Sequence, residues 1–373
     1  MGGKEKTPLL RENQKMFLSK NTQVFGLDIG SHSIKLAQLK KKKNSYELMN
    51  FGIMPLNPEF IVDGVIENVE GVADAIKKLL LCEKIASKYA VISIAGESAI
   101  IKKISVPVMS EEDLAKSITA EAEQYIPYDI DEVNVDFQIL PREGGAESSA
   151  EEEPQMDVLL AAIKKDAVES RLQVLKAAGL HPVVVDLDIF AMENCYELNE
   201  EADASKVVAL VNIGSSTTNV NILDGGITAF TRDIPVGANV FNRAIQKELG
   251  VSPEAAEQLK LGIEVEGITR NRVAPIVINS VVDITQEIYK SFEFFSTARN
   301  KEVDRIVLSG GAAVMPGLDR QIAGKLDKKT DVFNPFLNIK VNYNKFDSEY
   351  LETMGPLAAV SVGLAARRFN DKS

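Results

Sequence analysis

The fold is decided by two stretches, Gly26-Leu27-Asp28-Ile29-Gly30-Ser31-His32-Ser33-Ile34-Lys35 and Leu210-Val211-Asn212-Ile213-Gly214-Ser215-Ser216-Thr217-Thr218-Asn219. In both, an apolar strand ends in a carboxylate or its amide, and one aliphatic residue, a glycine, small hydroxyl residues and a second strand follow. Such turns let backbone N–H groups approach an anion closely. One copy is typical of an ordinary hairpin. Two copies with the same order of residue types predict two similar lobes whose hairpins face one phosphate chain.

Composition indicates a multidomain globular protein. The chain has 373 residues, of which 45% are hydrophobic and 26% charged, and this length exceeds what one hydrophobic core comfortably fills. The formal net charge of −12 argues against a general nucleic-acid binder, which would present a basic face. It leaves room for a local phosphate-binding pocket, because a few residues build such a pocket.

Cysteine and histidine are too scarce for several kinds of site. The two cysteines, Cys82 and Cys195, each lie in a predicted helix and are expected to be buried apolar residues. A disulfide framework or metal cluster is therefore not expected. His32 and His181 are the only histidines, so a histidine zinc site or a Ser-His-Asp triad has little support.

The sequence predicts a cytoplasmic protein that reaches the membrane through a partner. No stretch of about 18 or more apolar residues indicates a transmembrane helix. Residues 1–22 carry basic clusters without the apolar core of a signal peptide, and we expect a flexible polar leader there.

Periodicity predicts the same order of elements twice. In the first half, strands at Val24–Ile29, Ile34–Lys40 and Tyr46–Ile53 precede a helix at Val69–Leu81 and a strand at Ala90–Ala95. The second half repeats this order, with predicted elements at Val207–Asn212, Gly226–Arg232, a mainly helical stretch 237–299, Arg305–Leu308 and a closing helix Leu357–Phe369. This predicts an α/β architecture with a mixed sheet in each lobe.

Residues 101–163 interrupt the first lobe. They contain a strand, a helix that Ser110 caps with Asp113 at the capping-box position, and two further strands. Gly144–Pro154 is small, acidic and free of large apolar residues, which predicts an exposed mobile loop. The expected division is leader 1–22, first lobe 23–100 and 164–205, inserted subdomain 101–163, second lobe 206–236 and 301–355, its helical subdomain 237–300, and a closing helix 356–373 that returns to the first lobe.

A third motif makes the pattern specific, namely Ser309-Gly310-Gly311-Ala312-Ala313-Val314-Met315-Pro316-Gly317-Leu318. With the two hairpins, it resembles the actin superfamily of two-lobed ATPases over about Val24 to Phe369. The resemblance implies an actin-like two-lobe fold of duplicated ribonuclease H-like mixed sheets. The hairpins would be the phosphate-1 and phosphate-2 loops, and the third motif the adenosine motif.

Within that superfamily, the chain resembles the PilM family of type IV pilus assembly proteins. The resemblance is carried by Gly26–Ser31 with Lys35, by 120–128 (Ala-Glu-Ala-Glu-Gln-Tyr-Ile-Pro-Tyr) and by 184–188 (Val-Val-Asp-Leu-Asp). The insert sits where FtsA and PilM, unlike actin, carry an extra subdomain. The sequence has no amphipathic membrane-binding helix of the FtsA kind at its end, which favours PilM.

The resemblance implies ATP or ADP with Mg²⁺ as cofactors. The phosphate contacts would be Gly30, Ser31, His32, Ser33, Lys35, Gly214, Ser215, Ser216 and Thr217. Asp28 would hold hydrated Mg²⁺, and Asn212 would do so through water. Lys35 alone is equally consistent with a solvated lysine on a strand.

The remaining implied contacts are with the nucleoside. Gly310 and Gly311 would let the purine lie against backbone, since a Cβ would collide with it. Glu257 and Lys260, three apart on one helix face, match the family's Glu-x-x-Lys for ribose and base. An ordinary surface ion pair is the alternative for these two.

Departures from the family predict weak catalysis. Many ATP-hydrolysing relatives carry an acid where this chain has Asn212, and an acid or related polar residue at Asn219. An amide keeps a hydrogen bond but removes the charge that holds Mg²⁺-bound water. Asp188, with Asp186 nearby, lies near the position where the family orients the attacking water, so Asp188 is the candidate catalytic residue. We expect at most a weak ATPase.

Partners follow from the resemblance alone. It implies binding of the N-terminal tail of PilN, through it PilO and PilP, contact with pilus motor ATPases, and assembly as a ring or dimer. The tail would bind between the first lobe and its insert. The alternatives are a filament-forming cytoskeletal or division ATPase like FtsA or MreB, and a small-molecule kinase. A sugar kinase of this fold generally needs a carboxylate base facing its substrate, and the sequence offers no Asp in a phosphate-loop context of the second lobe for that role.

Overall fold

The computed structural model describes residues 23–43, 45–94, 98–140 and 154–367. The predicted leader, most of the predicted acidic loop and the end of the predicted closing helix lie outside the described residues. Among the residues that are described, no helix is both long and apolar enough to cross a bilayer.

The first lobe is built on a six-stranded mixed sheet. Its strands in chain order are β1 (Val24–Ile29), β2 (Ser33–Lys41), β3 (Tyr46–Pro55), β6 (Tyr89–Ile94), β10 (His181–Leu187) and β16 (Ile339–Lys340), and a small hairpin, β4 (Ile61–Val62) with β5 (Val65–Ile66), follows β3. The spatial order is β10-β6-β1-β2-β3-β16. β1 is buried along its whole length, because helices cover both faces of the sheet.

Those covering helices pack in two layers. On one face, α1 (Val69–Cys82) and α3 (Lys165–Ala177) pack on Phe25 and Leu27 of β1. On the other face, α4 (Asp188–Asn199) and α10 (Ala359–Ala366) pack on Val24 and its neighbours.

The second lobe repeats the strand pattern of the first. Its strands are β11 (Val207–Ile213), β12 (Thr218–Asp224), β13 (Ile227–Ile234), β14 (Arg305–Ser309) and β15 (Lys329–Val332), and its helices are α5 (Asn239–Leu249), α6 (Pro253–Lys260), α7 (Arg270–Arg299) and α8 (Leu318–Leu326). The order β13-β12-β11-β14-β15 has two antiparallel partners on one side and two parallel partners on the other, as does β3-β2-β1-β6-β10. This duplication confirms the two-lobe, actin-like α/β fold.

The insert forms a sheet with a core of its own. β7 (Ala99–Pro107), β8 (Val133–Ile139) and β9 (Gln155–Lys164) form an antiparallel sheet in the order β7-β9-β8, and α2 (Glu111–Ala122) covers it through Leu114 and Ile118. Ser110 caps α2, since its hydroxyl accepts a hydrogen bond from the Asp113 N–H at 3.1 Å. The predicted capped helix is therefore present.

A shared core joins the lobes. Apolar side chains of β2 and β3, of α4, and of β11 and β14 form one buried cluster, and α9 (Ser348–Met354) adds Leu351. In its neighbourhood, the buried Glu193 carboxylate of α4 accepts hydrogen bonds from Asn221 at 2.7 Å and Thr228 at 2.6 Å. A buried carboxylate with several donors fixes how α4 meets the second-lobe sheet.

Two details of the sequence interpretation were wrong. Cys82 is exposed, whereas Cys195 is buried as predicted. The buried face of α1 runs through Ile76, Leu79 and Leu80, so the last residue of the helix falls on the outer side. The closing helix α10 begins at Ala359 after a short 3-10 turn, two residues later than predicted.

A glycine substitution tests the packing of α10. A Cβ on Gly363 would lie 1.7 Å from the Ala191 carbonyl oxygen, whereas one on Gly324, which is exposed in α8, would meet nothing within 4 Å. We expect Gly363→Ala to lower the free energy of unfolding by about 1–3 kcal/mol or more. Gly324→Ala is the matched control, expected to be neutral or to gain up to about 1 kcal/mol. Urea unfolding of both variants measures this, and equal stabilities would contradict the packing described.

Candidate functional site

The two glycine turns have the same construction. In turn 1 (residues 30–33) the Gly30 N–H donates to the Ser33 carbonyl at 3.2 Å, and in turn 2 (residues 214–217) the Gly214 N–H donates to the Thr217 carbonyl at 2.9 Å. These two glycine N–H groups therefore donate within their own turns. The sequence had predicted that they would be free to bind an anion. The N–H groups of the residues that follow each glycine, at 31, 32, 215 and 216, make no backbone hydrogen bond within the described residues.

Lys35 is not a solvated strand residue. Its Nζ lies 3.3 Å from the Asp28 carboxylate, and its side chain is 14% exposed. The same Nζ would be 3.0 Å from a Cβ on Gly30, so the ammonium group lies directly over turn 1. Asp28 and Lys35 are cross-strand partners in the β1–β2 register, which brings a carboxylate and a cation together beside the turn.

Helix α5 holds turn 2 in place. The Ala238 and Asn239 N–H groups donate to the Gly214 and Ser215 carbonyls at 2.8 and 2.9 Å. A Cβ on Gly237 would lie 2.6 Å from the Ser215 carbonyl oxygen, so this approach requires glycine. The helix therefore begins at the turn, with its positive end there. Sequence reasoning missed Gly237, although a glycine just before a predicted helical stretch was the available signal.

A polar contact joins the lobes across the cleft. His32 Nε2 of turn 1 lies 3.8 Å from Glu257 Oε1 of α6. Glu257 Oε2 accepts from Lys260 Nζ at 2.7 Å and from Asn242 at 2.7 Å, and Lys260 is buried. The Glu-x-x-Lys pair is thus part of the cleft wall and not an ordinary surface ion pair.

Burial and neighbouring charges act on the pKa of His32 in opposite directions. Burial lowers the pKa of His32, Glu257 raises it, and Lys260 and Lys35 lower it, with a net effect below the ordinary value. Burial would raise the pKa of Glu257, but the charge and hydrogen bond of Lys260 hold it below its usual range. At neutral pH, His32 is therefore mainly neutral and Glu257 ionised.

A chain of side-chain hydrogen bonds lies beside turn 2. The Ser309 hydroxyl donates to Asn212 Oδ1 at 3.1 Å, Asn212 Nδ2 donates to Asn219 Oδ1 at 3.0 Å, and Asn219 Nδ2 donates to Asp233 Oδ1 at 2.6 Å. Sequence reasoning missed Asp233. Its position opposite Asn219 follows from the β12–β13 register, which puts a second-lobe carboxylate beside turn 2.

The double glycine has two different roles. Gly310 has φ +88°, and a Cβ there would lie 2.5 Å from the Ile213 carbonyl oxygen and 2.6 Å from Asn212 Oδ1. Gly310 therefore lets the motif approach turn 2, and its contact with a purine stays a prediction. A Cβ on Gly311 would meet nothing within 4 Å, so this backbone borders open space.

The two candidate acids, Asp186 of β10 and Asp188 of α4, have different hydrogen-bond partners. Asp186 is buried and accepts from Arg367 Nε at 2.7 Å, which makes it a structural ion pair with the end of α10. Asp188 accepts from the Ser93 hydroxyl at 2.5 Å. Burial, then the charges of Asp28 and Asp233, raise the pKa of Asp188 to about 7.

Three carboxylates from two lobes thus influence one another in this cleft. In the described part of the chain, no three acidic, histidine or cysteine side chains are close enough to hold a metal ion directly.

The raised pKa of Asp188 predicts a pH dependence of stability. Between the unfolded value near 3.8 and about 7, the folded chain keeps a proton that the unfolded chain has released. Stability therefore falls as pH rises through this window, by at most about 4 kcal/mol, since one pKa unit is worth about 1.4 kcal/mol. Asp188→Asn should flatten this slope in urea unfolding of the nucleotide-free protein. Parallel pH profiles of variant and parent would refute the assignment.

Both a family model and a solved structure match this chain over most of its length. A family model described as type IV pilus assembly protein PilM matches residues 26–369. A solved structure of a PilM-PilN type IV pilus biogenesis complex superposes with a TM-score of 0.80 at 30% identity, over 92% of this chain and 97% of that one.

More distant matches show the fold. The cell division protein FtsA of Neisseria meningitidis serogroup B is 23% identical over 331 residues, covering 78% of this chain and 79% of FtsA. MreB5 of Spiroplasma citri, solved with ADP, superposes with a TM-score of 0.51 at 13% identity, over 92% of this chain and 95% of that one. The family match covers both lobes and the insert within the first lobe. The chain therefore belongs to the family of the type IV pilus assembly protein PilM.

Proposed function

We propose that this chain is an ATP-binding scaffold of the type IV pilus assembly machinery, which binds the cytoplasmic N-terminal tail of a PilN-type membrane protein. The observation that carries the nucleotide proposal is the pair of equivalent turns, one from each lobe, on a cleft that contains Asp28, Lys35 and Asp188. The similarity to an ADP-bound MreB supports it through the fold.

The residues of the cleft fit a magnesium nucleotide. Free N–H groups follow each glycine, Lys35 offers positive charge, and α5 begins at turn 2. Asp28 would hold hydrated Mg²⁺, which when bound offsets the phosphate charge. Asn212 could act only through water, since its amide is already engaged by Ser309 and Asn219. Gly311 and the Glu257–Lys260 pair would face the nucleoside.

We infer slow hydrolysis. The positions equivalent to Asp28 and Lys35 in turn 2 are the neutral pair Asn212 and Asn219. This neutral pair supplies no charge to hold Mg²⁺-bound water and no base to activate it. We expect ATP to bind at micromolar affinity or better. Robust multiple-turnover hydrolysis by the isolated protein would contradict the scaffold interpretation.

Gly311 gives a test that leaves the fold intact. Because a Cβ there meets no protein atom within 4 Å, Gly311→Val should fold normally and lose at least about tenfold in ATP affinity, as the side chain occupies the nucleotide's space. Gly324→Val in α8 is the control. Isothermal titration with ATP and Mg²⁺ measures both. Unchanged affinity in Gly311→Val would rule out a nucleotide against this motif.

A groove between insert and first lobe suits an extended peptide. A cavity of about 220 Å³ is lined by Asn134 of β8, by α3 between Lys165 and Leu172, and by Pro182–Val185 of β10. β10 is the outermost strand of its sheet, so its outer backbone groups are available to an added strand. The half-buried Val183 and Leu172 supply apolar side-chain contacts. The PilM-PilN complex supports a PilN tail as the occupant.

A charge in this groove should block peptide binding. We expect Val183→Asp to weaken binding of a synthetic PilN-type tail at least about tenfold, since the carboxylate would be desolvated under the peptide. Val332→Asp, also on an edge strand but in the second lobe, is the control. Fluorescence anisotropy with labelled peptide measures both, with circular dichroism as a folding check. Equal affinities for the two variants would place the peptide elsewhere.

A further inference from the structure

Arg171 is a buried cation with unused hydrogen-bonding capacity. It lies in α3 with 8% of its surface exposed. Its Nε has no hydrogen-bond partner, and its Nη2 reaches only the Gly64 carbonyl in the β4–β5 turn at 3.5 Å. Among the described residues it forms no salt bridge. Since desolvating an unpaired guanidinium is costly, this arrangement calls for a partner that the described residues do not supply.

Two carboxylates of the cleft act on the charge of Arg171. Burial lowers the pKa of Arg171, whereas the charges of Asp188 and Asp28 raise it. These are carboxylates of the proposed phosphate end of the cleft, where Lys35 is also found. The Glu257–Lys260 pair, which marks the nucleoside end, has no such effect on Arg171. Arg171 therefore lies within electrostatic range of the Asp28 and Asp188 carboxylates.

We propose that Arg171 is a further nucleotide-binding residue, which pairs with the terminal phosphate of a bound triphosphate and lets the cleft distinguish ATP from ADP. This rests on the proposed function. A guanidinium offers five donors in a plane that matches phosphate oxygens, and such charge-assisted bonds are among the strongest in proteins. The lone contact to Gly64 also links the terminal phosphate to the β4–β5 hairpin at the edge of the first lobe.

Titrations of ATP and ADP with Mg²⁺ test the assignment. For Arg171→Gln we expect ATP affinity to fall about tenfold or more while ADP affinity stays within about twofold, as one charge-assisted contact is lost. Arg171→Lys keeps the charge without the fork and should lose less. Arg272→Gln, an exposed arginine in α7, is the matched control and should change neither affinity.

The outcomes separate the inference from the proposed function. If the unsubstituted protein binds neither ATP nor ADP, both the proposed function and the role of Arg171 are wrong. If it binds both, and Arg171→Gln and Arg171→Lys alter ATP and ADP affinities equally or not at all, the inference alone falls. Thermal unfolding without nucleotide shows whether Arg171→Gln is folded, and where it is not, the decision rests on Arg171→Lys.

Discussion

Like charges gathered in one cleft are the constraint on which this structure depends. Asp28 ends the central strand of the first lobe, Asp188 begins α4, and Asp233 comes from the second lobe, and the charges of Asp28 and Asp233 both act on Asp188. Three carboxylates in a partly desolvated space repel one another, so each must be compensated. Lys35 does this for Asp28 through a 3.3 Å contact, the Ser93 hydroxyl supports Asp188, and Asn219 binds Asp233.

The two lobes are equivalent in backbone and unequal in charge. Each presents a turn closed by the same glycine N–H bond, at the same place in a sheet of the same strand order. The register position held by Asp28 and Lys35 in the first lobe is held by Asn212 and Asn219 in the second. At this register position the first lobe therefore supplies two opposite charges and the second lobe two neutral amides. This asymmetry suits binding of a charged ligand better than its rapid turnover.

The sequence predicted what depends on neighbours along the chain. Both glycine turns, most strand positions, the capped helix at Ser110 and the Glu257–Lys260 pair follow from local patterns, and the structure contains them. It could not predict which carboxylates meet, because Asp233 comes to lie opposite Asn219 only through the register of β12 and β13. The β4–β5 hairpin also escaped notice, since two strands of two residues leave no periodicity.

One pair of elements serves both proposed sites. Helix α3 lines the proposed peptide groove and carries Arg171. Strand β10 lines the same groove and ends at Leu187, directly before Asp188. The central claim is that both turns bind one magnesium nucleotide. Amide hydrogen exchange with and without ATP and Mg²⁺ tests it most directly. The account predicts slower exchange in turn 1, in turn 2 and at Gly311 together. Protection confined to one lobe, or absent from both turns at saturating ATP, would contradict it.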